Sequence, residues 1–65
     1  MQMIYVDSSN VINSYGWEND NLYIDFVHGK SRTFKNVPES VFREMTRADS
    51  VGSYFYANIY KKYDE

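Results

Sequence analysis

The stretch Leu22-Tyr23-Ile24-Asp25-Phe26-Val27-His28-Gly29-Lys30-Ser31-Arg32-Thr33-Phe34-Lys35 decides the fold. Leu22, Ile24 and Phe26 alternate with Tyr23, Asp25 and Val27, the two-residue period of a strand with one face on a core. His28-Gly29-Lys30 reads as a hairpin loop in which Gly29 is free to take positive φ. Ser31 to Lys35 returns as the next strand, with Arg32 and Phe34 on one face and Ser31, Thr33 and Lys35 on the other.

The flanks extend this hairpin in both directions. Upstream, Val11 to Trp17 is a strand: Ile12, Ser14 and Gly16 point one way, and Val11, Asn13, Tyr15 and Trp17 the other. Gly16 inside it suggests a bulge or a close backbone approach. Glu18-Asn19-Asp20-Asn21 is a polar turn. Asp7-Ser8-Ser9-Asn10 is a turn or capping segment, and apolar Met1 to Val6 is a short edge strand or an ordered arm. Downstream, Pro38 and Glu39 suit the start of a helix. Val41, Phe42, Met45 and Ala48 then follow helical spacing, and Glu39 and Arg43 stand in the favourable i,i+4 order. Asp49-Ser50 caps a second helix. In it Val51, Phe55 and Ile59 face the core, while Tyr56, Tyr60 and Tyr63 form a second stripe. The expected fold is α+β: a three-stranded antiparallel meander followed by two short helices packed on one face. Residues 1–65 read as one domain.

Composition narrows the chemistry. The chain has no Cys and a single His, so disulfides, thiolate metal sites and His clusters are excluded. No Ser/His/Asp order, glycine-rich phosphate loop or metal-ligand spacing is present, so neither catalysis nor a cofactor or metal is expected. No apolar run reaches the length of a membrane span and no signal-peptide core opens the chain, which makes a cytoplasmic location the expectation. Seven Tyr, four Phe and one Trp among 65 residues exceed what so small a core absorbs, so some rings must reach the surface. There they suit stacking on a flat ligand or filling a partner's surface. The net charge of −2 argues against tracking a long phosphate backbone. A ligand with a few phosphates needs only one or two cations, and Lys30, Arg32, Lys35, Arg43, Arg47, Lys61 and Lys62 fall in three local groups. A small core stands poorly alone, so a homo-oligomer with the tyrosine stripe between subunits is expected.

Four segments in order carry a family resemblance. They are Ser9…Ile12…Gly16-Trp17; Leu22-Tyr23-Ile24-Asp25-Phe26 with Gly29; Val37-Pro38-Glu39-Ser40-Val41-Phe42; and Ser50-x-Gly52-x-Tyr54-Phe55-x-x-x-Ile59. From about Ser8 to Tyr63 the chain resembles the KTSC domain, named for the C-terminus of some lysyl-tRNA synthetases and also found free-standing in bacteria and phages. The resemblance implies strands followed by helices and a suggested link to RNA. Two departures stand out: Arg32-Thr33-Phe34 occupies the place of the family's Tyr-x-Tyr, and Tyr56 that of an Asn.

The candidate ligand-binding residues are Ser8, Ser9, Asn10, Trp17, Arg32, Phe34, Arg43, Tyr54, Asn58 and Lys61. The planar fork of Arg32 would grip a phosphate beside Phe34; the bland alternative pairs it with Asp25 across the hairpin. Ser8, Ser9 and Asn10 could offer hydroxyls and backbone N–H groups to a phosphate, or simply form a turn. Trp17 is a stacking platform or a core ring. Tyr54 and Asn58, one helical turn apart, would present a ring and an amide to a nucleobase, although packing of helix on sheet is the commoner use. Arg43 and Lys61 add charge. The expected function is non-catalytic binding of a small nucleotide, with a cyclic or oligonucleotide signal sequestered by a phage anti-defence protein as its sharpest form. The alternatives are an RNA-binding accessory module and a protein-interaction module.

Overall fold

The computed structural model describes residues 2–7 and 9–63. These form β1 (Ile4–Tyr5), β2 (Ile12–Glu18), β3 (Asn21–Phe26), β4 (Ser31–Phe34), α1 (Glu39–Arg47) and α2 (Val51–Asn58). The strands make one antiparallel sheet in the order β1-β2-β3-β4. The meander therefore has four strands, not three. The extra one is the apolar N-terminal segment, whose Ile4 and Tyr5 pair with Tyr15 and Ser14 and cover what would otherwise be an open edge of β2.

Turn chemistry sets the register. Asn19 and Asp20, with φ of 52° and 65°, close the β2–β3 hairpin. Two left-handed residues are what a two-residue hairpin turn requires, and Asn and Asp tolerate that region. Gly29, with φ of 89°, turns the β3–β4 loop, where the Phe26 N–H donates to the Lys30 carbonyl at 2.7 Å.

The bulge lies at Asn13 rather than Gly16. Ile12 pairs with Phe26 and Ser14 with Asp25, so Asn13 is the extra residue, while Gly16 pairs regularly with Tyr23. The inserted residue reverses the alternation. Ile12, Tyr15 and Trp17 share the helix-facing side with Phe26, Ile24 and Leu22, and Ser14 and Gly16 turn to the other side. On that other side the Asp25 carboxylate accepts hydrogen bonds from Asn13 Nδ2, Ser14 Oγ and Ser31 Oγ, which pins the bulge and ties β4 to it.

Both helices pack on the face that Leu22, Ile24 and Phe34 share. Met45, Phe55 and Ile59 are fully buried with Ile12, Tyr15 and Val37, and Val41, Phe42 and Phe26 pack around them. Phe55 is the hub: its ring meets Phe26 and Phe34 edge-on at 5.7 and 5.4 Å. Ser50 caps α2, its Oγ accepting from the Ser53 N–H. Val37 ties the sheet to α1, donating its N–H to the Asp20 carbonyl and accepting from Trp17 Nε1 at 2.7 Å. The second helix is shorter than its apolar spacing suggests. It ends at Asn58 with Ile59 as cap, and the chain tightens into turns as Ile59 and Tyr60 both donate to the Phe55 carbonyl. The expected tyrosine stripe is thereby divided. Tyr56 and Tyr60 stay 45% and 46% exposed, whereas Tyr63 folds back against the core.

Candidate functional site

An open groove of about 750 Å³ lies where the β3–β4 hairpin meets the end of α2. Phe26 and Val11 form its apolar floor, and the Val27 N–H donates to the Val11 carbonyl at 2.9 Å, which brings the start of β2 beside the hairpin. His28, Lys30, Ser31 and Arg32 from the hairpin and Tyr56 and Tyr60 from the end of α2 complete its lining.

The fold itself explains this placement. Arg32 pairs across the sheet with Ile24, so it projects on the helix-facing side, near the end of the sheet. Asp25 pairs with Ser31 and projects from the opposite side, so the alternative pairing of Arg32 with Asp25 finds the two residues on opposite faces. In the groove the Tyr56 and Tyr60 rings lie 5.3 Å apart at 50°, and each meets Phe55 edge-on, at 5.3 and 6.0 Å. Their inner edges are thus held by the core while nearly half of each side chain faces outward. The site gathers an aromatic pair, a cationic strand and the half-buried apolar Val11 and Phe26 around one concavity.

Of the sequence-derived candidates, the groove collects Arg32 alone. Phe34 is 2% exposed and packs on Phe55, so it cannot stack on a ligand; its place in the core follows from pairing with Leu22 on the helix-facing side. Trp17 is a packing residue, stacked on Phe42 at 6.4 Å with its indole N–H spent on Val37. Tyr54 donates its hydroxyl to Glu44 Oε2 at 2.7 Å, joining α2 to α1, and Asn58 Nδ2 donates to the Tyr54 carbonyl. Burial and the Glu44 carboxylate push the Tyr54 phenol up to about 12. Ser9 Oγ accepts from the Val11 and Ile12 N–H groups, a turn-forming use. Asn10 and Lys61 are exposed and do not line the groove, and Ser8 lies outside the described residues. Arg43 pairs with Glu39 at 3.4 Å on the outer surface of α1.

The groove also collects His28, Lys30, Ser31, Tyr56 and Tyr60, which were not among the candidate ligand-binding residues. The spacing of Tyr56 and Tyr60 was visible in the sequence. Their meeting with the hairpin was not, because it depends on how α2 crosses the sheet. Among the described residues no group of three or more His, Asp or Glu is placed to hold a metal, and no helix is long and apolar enough to cross a membrane.

Fold and site together define a small α+β domain: an antiparallel meander, two helices on one face, and an aromatic–cationic groove at one end. The family model of the KTSC domain matches residues 8–63, and the chain belongs to that family. No curated protein sequence matches it.

Proposed function

We propose that this KTSC domain is a non-catalytic binding module whose groove takes a small nucleotide. The observation that carries the reading is the juxtaposition of Lys30 and Arg32 with the Tyr56–Tyr60 pair around one concavity. A nucleotide has the matching parts, a flat base to lie against rings and an anionic group for a guanidinium and an ammonium. The groove volume is within the usual range for small-ligand sites, roughly 300–1,000 Å³. The net charge of −2 favours a ligand of few phosphates over polymeric RNA. Without catalysis, the use of such a module is to sequester or sense its ligand, and a cyclic or oligonucleotide signal is a ligand of the right chemistry.

The test is a thermal-melt screen of mono-, cyclic and short oligonucleotides, followed by a salt series on whatever binds. Ligand at about 100 times its Kd adds about 2.7 kcal/mol of stability, a readily measured shift. A gentle salt dependence supports the small-nucleotide reading. A slope approaching about −0.7 per neutralised phosphate over many phosphates supports RNA instead. A flat response across the screen contradicts both. One observation favours a different second reading, self-association: Val27, Tyr56 and Tyr60 are large, adjacent to the groove and 45–48% exposed. Light scattering at micromolar concentration distinguishes a monomer from a dimer in which these rings are covered.

A further inference from the structure

We infer that the groove discriminates its ligands by phosphate charge and not by base identity. The inference rests on the nucleotide-binding reading above and specifies its substrate class. A site rejects the wrong base strongly only when fixed, buried polar groups are left unpaired by it. Here every polar residue lining the groove is exposed, namely His28, Lys30, Ser31, Arg32, Tyr56 and Tyr60. Water can satisfy each of them when a base offers the wrong edge, so a mismatch leaves nothing stranded. The shielded part of the groove is Val11 and Phe26, which offer apolar surface alone to a base edge. The rings of Tyr56 and Tyr60 act through their faces, and every base has a face.

Charge is read differently. Lys30 and Arg32 lie two residues apart, the spacing that puts both side chains on one face of an extended chain as it enters and runs along β4. Both line the groove, so the chain presents two neighbouring cations to it rather than a single contact. Each phosphate added to a ligand increases its attraction to that pair of cations, whatever base it carries.

The experiment is calorimetric titration, without divalent cations, of the parent and of Arg32→Ala with AMP, GMP, CMP, UMP and ATP. Bases of equal ring size are compared, AMP with GMP and CMP with UMP. Within each pair the affinities should agree to about threefold. ATP should bind about tenfold more tightly than AMP, equivalent to about 1.4 kcal/mol. Arg32→Ala should compress the ATP-to-AMP ratio and leave the base comparisons unchanged. A preference of tenfold or more within either base pair, or equal affinity for AMP and ATP, overturns the inference while leaving a nucleotide site standing. Absence of binding by all five overturns both the inference and the site reading for these ligands. Matching melts for parent and variant establish that the Arg32→Ala result reflects the site rather than the fold.

Discussion

Truncating Phe55 should unfold the domain. Phe55 is fully buried at the point where α2 crosses the sheet, and its ring makes edge-on contacts with Phe26, Phe34, Tyr56 and Tyr60 between 5.3 and 6.0 Å. Removing a buried Phe costs about 3–5 kcal/mol through lost transfer energy and the cavity left behind. The aromatic pairs with Phe26 and Phe34 add about 0.5–1.5 kcal/mol each beyond area. A single core of this size supplies about 3–5 kcal/mol in total. Phe55→Ala is therefore expected to have no cooperative transition by circular dichroism at 25 °C. Phe55→Leu refills much of the volume and should cost about 1.5 kcal/mol, staying folded. It should still weaken nucleotide binding, because Phe55 backs both groove tyrosines and Phe26 on the floor. Urea unfolding of the three proteins measures the costs. A cooperative melt for Phe55→Ala within a few degrees of the parent would refute the assignment of Phe55 as the hub.

Tyr54→Phe should destabilise at neutral pH by losing the bond to Glu44, and this deficit should be pH-dependent. The folded phenol is pushed up to about 12, so its contribution is complete below the ordinary value of about 10 and is lost as pH rises through about 12. Urea midpoints of parent and variant should thus converge between pH 10 and 12; a constant gap would contradict the coupling. Ser50→Ala removes the α2 cap and should cost about 1 kcal/mol, while Ser50→Asp should retain most of it, both read from denaturant midpoints.

The strand and helix pattern was legible where side-chain period and turn residues agreed. Leu22-Ile24-Phe26, the Gly29 loop, the Ser50 cap and the Val51-Phe55-Ile59 spacing all carry local signals that the packed chain keeps. Three features needed tertiary information. The segment read as a short edge strand or an ordered arm is a two-residue strand, Ile4–Tyr5, and pairing with β2 decides between the two readings, since it has no period of its own. The bulge at Asn13 is fixed by Asp25, twelve residues away, while Gly16, read as a bulge or a close backbone approach, pairs regularly with Tyr23. The fate of the tyrosines turned on where α2 stops. A helix continued through Tyr63 would have kept one stripe, whereas ending at Asn58 sends Tyr63 inward and leaves Tyr56 and Tyr60 beside the hairpin. Arg32, singled out because it replaces the family's aromatic on the face shared with Phe34, lines the groove. Phe34, on the same side, was assigned to the ligand although its partner Leu22 places it under the helices.

The central claim, that the groove holds a small nucleotide through Arg32, is tested most directly by titrating three proteins with the nucleotide that raises the melting temperature most. Loss of a charge-assisted contact costs about 1.5–3 kcal/mol, so Arg32→Ala should bind roughly ten- to a hundredfold more weakly. Arg32→Lys should recover part of that, since an ammonium keeps the charge and loses the planar fork. All three should melt alike, because Arg32 is exposed. Equal affinity in the three proteins would contradict the claim and return Arg32 to the role of a surface charge.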